Sequence, residues 1–295
     1  MKIIISGSTG LVGTALVFNL VAEGHEIFRL VRSREEEGIY WDPSEPVQDR
    51  SALEGFDAVI HLAGESISEG RWTDEKKGKI RNSRTESTRY LSDALAALTS
   101  PPGLFLCASA SGYYGDRGAE ILREESPPGE GFLPDVCREW EAATQGATAK
   151  GIRVVNLRFG IILSKNGGAL AKMLPPFRLG AGGRIGSGKQ YWSWIDLEDV
   201  VGVIEYVIQH ETLLGPVNTS TPNPVTNAEF TQILARVLKR PAFLPVPAFA
   251  ARAAFGEMAD ALLLSSFRMH PAKLIEAGYT FAYPDLESSL RHLLT

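Results

Sequence analysis

Met1-Lys-Ile-Ile-Ile-Ser-Gly-Ser-Thr-Gly-Leu-Val-Gly13 opens the chain as a short apolar run that passes into a glycine-punctuated turn and then a helix. Ile3, Ile4 and Ile5 are β-branched and apolar without alternation, the pattern of a central parallel strand covered on both faces. Gly7, Gly10 and Gly13 follow at intervals of three. The first permits a tight bend, the second lets the backbone approach a pyrophosphate, and the third lets the helix pack closely on the sheet. Free N–H groups at the helix start then face the phosphates. A glycine triplet alone also occurs in structural turns. Here a strand precedes it, a periodic helix through Leu16, Leu20 and Val21 follows, and a second strand over residues 26–31 completes one βαβ unit, which favours a dinucleotide.

The second strand ends in Leu30-Val31-Arg32-Ser33-Arg34, about twenty residues past the loop, where such a unit reads the adenosine ribose. An acid there would accept from a free 2′-OH, whereas Arg32 offers a planar cation suited to a 2′-phosphate. The residues therefore favour NADP(H), with Ser33 and Arg34 as helpers. The plainer alternative is a set of solvated loop charges balanced by Glu35, Glu36 and Glu37.

At 295 residues, with 44% hydrophobic and 22% charged residues, the chain has room for one large α/β domain or one domain and a smaller lobe. The net charge of -5 gives no basic footprint for nucleic acid or an anionic membrane. Cys107 and Cys137 are the only cysteines and lack metal-ligand spacing, so no metal is expected and a reducing compartment fits. No apolar run reaches the ~18 residues of a spanning helix. The first strand begins at once, without a secretory or transit pattern, and a cytoplasmic location is expected.

A turn-rich surface crossing is expected over residues 39–56, then a third strand, Asp57-Ala-Val-Ile-His61, running into Leu62-Ala63-Gly64. His61 reads as packed rather than catalytic. Residues 70–98 form a charged helical region whose bases chiefly make a solvated face. The fourth strand, Leu104-Phe-Leu-Cys-Ala108, precedes Ser109-Ala-Ser-Gly-Tyr-Tyr-Gly115, a hydroxyl cluster where open α/β sheets bind ligands. Ser109 is the leading candidate to hydrogen-bond a substrate carbonyl or the nicotinamide amide; the alternative is a turn that Ser109 merely caps. The strand over 153–158 leads to a glycine-rich region, 167–188, read as loops covering a ligand. Tyr191-Trp192-Ser193-Trp194 reads equally as a pocket wall or as core between lobes. A helix over 196–209, a short strand at Val217-Asn218 and a capping box at Thr226/Glu229 follow. Apolar helices around 249–267 and 286–294 complete a smaller lobe.

The whole chain resembles the extended short-chain dehydrogenase/reductase superfamily, and within it the NAD(P)-dependent epimerase-like branch sometimes labelled cell-division-inhibitor (SulA-like) homologues. The resemblance rests on the Gly7–Gly13 loop, His61-Leu-Ala-Gly64, Arg71-Trp72, Ser83-Arg84, the 109–115 cluster, Trp140-Glu-Ala142, Leu157-Arg-Phe-Gly160, Trp194-Ile-Asp196, and His270-Pro-Ala-Lys-Leu274 with Gly278-Tyr279. It implies a Rossmann-type doubly wound parallel sheet with a small, mainly helical C-terminal lobe. The expected division is 1–165 for the NADP-binding core and 166–295 for substrate-covering segments, with 196–218 returning to the core and 245–295 forming the small domain. It also implies NADP(H) held by Gly7, Ser8, Thr9, Gly10, Leu11, Val12, Arg32, Ser33, Leu62, Ala63, Gly64, Arg84, Ala108, Phe159 and Gly160.

The superfamily's usual machinery adds a Ser or Thr after the fourth strand to a Tyr-x-x-x-Lys pair on the next helix, tyrosine moving the proton while lysine lowers its pKa. Here Cys137 stands at the tyrosine position and Glu141 at the lysine position. Ser109 and Tyr114 are left as catalytic candidates, with Tyr113 beside them and Ser111 as the alternate to Ser109 after a one-residue offset. Two functions follow from this resemblance. One is an NADP(H)-dependent oxidoreductase or nucleotide-sugar epimerase-like enzyme acting on a small polar substrate. The other is an inactive NADP(H)-binding regulatory or scaffold protein linked to cell division. Superfamily analogy allows a homodimer.

Overall fold

The computed structural model describes all residues 1–295. Its strands are β1 (Lys2–Ser6), β2 (Glu26–Val31), β3 (Ile39–Tyr40), β4 (Ala58–His61), β5 (Leu104–Ala110), β6 (Ile121–Leu122), β7 (Arg153–Phe159), β8 (Ile161–Leu163), β9 (Tyr191–Trp192), β10 (Trp194–Asp196), β11 (Gly215–Thr219), β12 (Val225–Thr226) and β13 (Arg268–Met269). The helices are α1 (Leu11–Ala22), α2 (Asp74–Ala96), α3 (Phe132–Ala142), α4 (Gln145–Ala149), α5 (Gly168–Arg178), α6 (Leu197–Gln209), α7 (Asn227–Leu238), α8 (Ala248–Phe255), α9 (Ala272–Glu276) and α10 (Leu286–Leu294).

Seven strands form one parallel sheet in the order β11-β7-β5-β4-β1-β2-β3. The apolar opening run is buried because β1 lies between β2 and β4, and its pleat sends alternate side chains to opposite faces. Ile3 and Ile5 meet Leu16 and Leu20 of α1 and Val203 and Val207 of α6. Ile4 meets Leu91 and Leu95 of α2, Trp140 of α3 and Ala147 of α4. The βαβ unit read from the opening stretch and the doubly wound α/β sheet implied by the family resemblance are therefore both present. The order in which strands are added to the sheet reverses between β1 and β4, which opens a crevice at the strands' carboxyl ends.

The rest of the chain builds a lobe above that edge, with its own core of Leu170 and Leu174 from α5, Trp192, Trp194, Phe230 and Leu234 from α7, and Leu290 from α10. The two tryptophans belong to this core and do not wall a pocket. Thr226 and Glu229 close the capping box on α7. The Asp199 carboxylate on α6 accepts the backbone N–H groups of Ala282 and Tyr283 at 2.8 and 2.9 Å, pinning the C-terminal segment to the sheet domain. No helix is long and apolar enough to cross a membrane.

Three expectations change. The turn-rich stretch after Gly38 carries edge strand β3, paired with Leu30 and Val31. The glycine-rich region contains α5, because Ala169 to Leu174 is a run of good helix formers hidden between flanking glycines and prolines. The helix expected across 249–267 breaks at Gly256, whose φ of +62° no helix accommodates, and resumes as a wide turn over Ala259–Leu264.

Candidate cofactor and substrate site

The crevice floor is the Gly7–Gly13 turn. Gly7 has a φ of +69°, and a Cβ there would lie 2.8 Å from the backbone of Leu62 and Ala63. A Cβ on Gly13 would lie 2.1 Å from the Gly7 carbonyl oxygen. Gly10 begins α1, and no side chain caps the helix. Its first N–H groups thus stay free for phosphate oxygens, with the helix dipole favouring negative charge. Ser8 is buried in the turn while Thr9 and Gly10 are exposed; Leu11 lies against Gly167 and Gly168, and Val12 packs at the rim of the sheet core.

Arg32 is exposed at the end of β2 and forms no ion pair, and Ser33 beside it is half-buried. Arg34 instead stacks over the Tyr40 ring at 4.1 Å. On the other side of the turn, Leu62 and Ala63 are half-buried and Gly64 is exposed. The Arg84 guanidinium sits 3.4 Å from where a Gly64 Cβ would lie and 5.2 Å over the Trp140 ring. It donates to the Ile80 carbonyl but has no carboxylate partner, and burial lowers its pKa. A cation so placed is matched to an anionic ligand in the crevice.

A directed hydrogen-bond chain lies under this floor. Ala63 N–H donates to Ser6 Oγ at 3.4 Å, so the Ser6 hydroxyl is free to donate to His61 Nδ1 at 2.6 Å. Nε2 then carries the imidazole proton and donates to Ser87 Oγ, whose hydroxyl donates to the Ser83 carbonyl. His61 is fully buried, and burial holds its pKa down to about 4. A pH dependence follows. Unfolded His61 gains a proton near 6.5, folded His61 only near 4, so its stabilisation is complete above pH 6.5 and is lost as pH falls toward 4. Chemical denaturation across that window is expected to show a loss of roughly 3 kcal/mol that His61→Gln removes. Asp196 and Asp199, whose pKa values burial raises, act with the opposite sign in both proteins and cancel in the comparison.

At the carboxyl end of β5 a second buried network occupies the place of the usual Tyr-x-x-x-Lys pair. Glu141 and Arg158 form a two-pronged ion pair, Nε to Oε1 at 2.7 Å and Nη2 to Oε2 at 2.8 Å. Ser109 donates to Glu141 Oε1 at 2.7 Å. Arg158 Nη1 donates to Tyr114 Oη at 2.8 Å and to the Glu124 carbonyl at 3.0 Å, and Tyr114 Oη donates to Asn218 Oδ1 at 2.6 Å. Burial works to lower the Arg158 pKa, but the Glu141 carboxylate outweighs it and the pKa is raised.

This geometry sorts the polar candidates. Tyr114 has no exposed surface and its pKa is pushed by burial to about 12, so it is a strut of the network and does not face substrate. Ser109 is 2% exposed and spends its proton on Glu141. Ala108 is buried beneath it, whereas Ser111, Phe159 and Gly160 are half-buried at the crevice. Tyr113 is also half-buried, and its ring lies 3.5 Å beneath the Arg158 guanidinium. Burial drives the Cys137 thiol up to about 12, which disqualifies it as a proton carrier near neutrality. Sequence reasoning missed Arg158 and Asn218 as members of the site. The available signal was a cation and an amide near the carboxyl ends of neighbouring strands, β7 and β11, among residues that are buried.

Three contacts join the segment after Gly64 to the upper lobe. Lys172 Nζ donates to the Ser68 carbonyl and hydroxyl at 2.9 and 2.8 Å, Arg71 donates to the Ala253 carbonyl at 2.7 Å, and Lys77 pairs with Glu257 at 2.7 Å. No group of His, Cys, Asp and Glu side chains is arranged to hold a metal ion.

Comparison with known proteins places relatives on this geometry. Residues 3–218 match the NAD dependent epimerase/dehydratase family, and residues 246–293 match a domain of unknown function, DUF1731. An epimerase family protein of Mycobacterium bovis is 42% identical over 293 residues, 99% of this chain and 97% of that protein. The crystal structure of human epimerase family protein SDR39U1 (isoform 2) with NADPH superposes with a TM-score of 0.90 at 32% identity, covering 99% of both chains. A nucleoside-diphosphate sugar epimerase from Corynebacterium glutamicum superposes with a TM-score of 0.82 at 37% identity, covering all of this chain and 58% of the other.

Proposed function

This chain belongs to the NAD dependent epimerase/dehydratase family, and from that premise we propose that it binds NADP(H) and acts as an oxidoreductase or epimerase-like enzyme on a small polar substrate. The observation that carries the cofactor reading is Arg32, an exposed and unpaired guanidinium at the end of β2, beside a glycine turn whose helix start is left uncapped. The human relative crystallised with NADPH supports the same reading. The residues fit the group: the Gly7–Gly13 turn and the start of α1 would hold the pyrophosphate, Arg32 with Ser33 the 2′-phosphate, and Leu62, Ala63 and Gly64 the adenine side.

The dinucleotide, when bound, supplies or accepts hydride. The protein's part is to position and to handle a proton. Ser109, with its proton donated to Glu141, presents only acceptor lone pairs to a ligand hydroxyl. Tyr113 is the phenol of the site that is not buried in the network, and the Arg158 guanidinium against its ring holds it in place. Tyr113 and Ser111 are thus the groups best placed to donate to a substrate oxygen.

Arg32→Ala is expected to weaken NADPH binding about 10–100-fold while leaving NADH binding nearly unchanged, since a charged phosphate contact is worth about 1.5–3 kcal/mol. Calorimetric titration with both cofactors measures this. Equal losses for the two would sink the 2′-phosphate assignment. Turnover is tested by NADPH oxidation and epimerised product on a panel of carbonyl compounds and nucleotide sugars, with Tyr113→Phe as the diagnostic variant. A second reading, cofactor binding without turnover, is favoured by the Glu141–Arg158 pair filling the place of the catalytic lysine. Uniformly absent turnover with intact NADPH binding selects it.

A further inference from the structure

We propose that the upper lobe carries a peripheral docking surface for anionic lipid bilayers. The net charge of -5 conceals a strong local asymmetry. Residues 165–195 contain five Lys or Arg and residues 230–256 contain four, and neither segment contains an Asp or Glu. The fold brings the two segments together. Ile185 bridges to Val246, Val246 N–H donates to the Arg184 carbonyl at 2.8 Å, and Arg240 Nε donates to the Arg178 carbonyl at 3.1 Å. Of the nine bases only Arg236 and Arg252 are ion-paired, which leaves Arg178 and Arg240 as exposed free charges on the joined face.

Large apolar side chains project from that face. Leu179 is 84% exposed, Phe243 72% and Phe249 74%, each next to or a few residues from a base. Pro241, Pro245 and Pro247 restrict the backbone of the segment bearing Phe243. Exposed aromatic and aliphatic tips on a face that carries the unpaired cations Arg178 and Arg240 suit the boundary between anionic headgroups and acyl chains, where charge draws the protein in and apolar insertion retains it. Apolar tips this fully exposed, 72–84%, gain most from a deformable lipid surface into which they can insert, which favours that surface over an acidic protein.

The test is sedimentation of the full chain with phosphatidylcholine vesicles, plain or carrying roughly one-third phosphatidylglycerol. The expected result is recovery with the anionic vesicles alone, reversed by salt on the order of 1 M. Arg178→Glu with Arg240→Glu is expected to cut binding at least tenfold, on a scale of roughly fivefold per basic residue at the surface. Phe243→Ser with Phe249→Ser is expected to cut it by a comparable factor. All four positions are exposed, and unchanged thermal melts verify that both variants fold. Absent binding, or equal binding to plain vesicles, overturns the proposal. So does loss with the arginine pair but not the phenylalanine pair, which marks simple charge adsorption. A dimer that depends on the two phenylalanines, without vesicle binding, assigns the face to a second copy of the chain. Retention on immobilised polyglutamate, again without vesicle binding, assigns it to an acidic protein; either result overturns the lipid assignment.

Discussion

Replacing Arg158 by leucine is expected to lower the unfolding free energy by about 3–5 kcal/mol, measured by chemical denaturation at neutral pH. Arg158 is 2% exposed and serves Glu141, Tyr114 and the Glu124 carbonyl at once. Its loss strands the Glu141 carboxylate in low dielectric with Ser109 as its remaining side-chain donor, and deprives Tyr114 of the charge that faces it. The penalty is chiefly that of an uncompensated charge. Glu141→Leu combined with Arg158→Leu is therefore expected to be less damaging than Arg158→Leu alone, because both charges leave together. A loss below about 1 kcal/mol for the single variant would instead mean that the pair behaves as a solvated one.

The second large effect is expected at Gly13. An alanine methyl would overlap the Gly7 carbonyl oxygen and come within 2.8 Å of the Ser8 Cα, and neither backbone atom can rotate away. Gly13→Ala is expected to cost about 1–3 kcal/mol of stability through overpacking. NADPH affinity is expected to fall about tenfold or more for each phosphate hydrogen bond displaced. Gly10→Ala separates the two effects, since its Cβ would meet only the Gly7 carbonyl oxygen at 3.3 Å on the exposed side. It should fold nearly normally yet bind NADPH weakly. Wild-type affinity in both variants, by fluorescence titration, would mean that the turn is not a phosphate loop.

These two residues also mark how far a linear reading reaches. The Gly7–Gly13 turn was legible because its physics is local: strand, glycine spacing and helix start lie within thirteen residues, and a positive φ at Gly7 is a property of the residue itself. The same holds for the Thr226–Glu229 capping box and for the apolar strands expected over 57–61 and 104–108, which the structure forms over 58–61 and 104–110. Arg158 was not legible in this way. Its partners come from residues 114, 124 and 141, and only the fold, which sets Ser109 of β5 beside Arg158 of β7, reveals that a buried cation is neutralised from the neighbouring helix. The place of Tyr114 is hidden from a linear reading for the same reason. A tyrosine after a strand end reads as a site residue, yet the burial that removes it depends on Asn218, more than a hundred residues away.

Cys137 and Glu141 show an intermediate case. Their departure from the Tyr-x-x-x-Lys pattern was visible at once, but what replaced it was not. The missing lysine has become a carboxylate whose charge is taken up by Arg158, so the site keeps an internal cation while losing one that could shed a proton.

The three contacts from Ser68, Arg71 and Lys77 to the upper lobe bear on time rather than on affinity. They tie the stretch following Gly64, at the rim of the crevice, to α5 and to the α8 region. If the cofactor lies beneath these contacts, as under the proposed function, its entry and exit would require the joints to part, so its residence would be set by how often they open as well as by its own contacts. Weakening one joint, as in Lys172→Ala, is expected to speed entry and exit alike and leave their ratio almost unchanged.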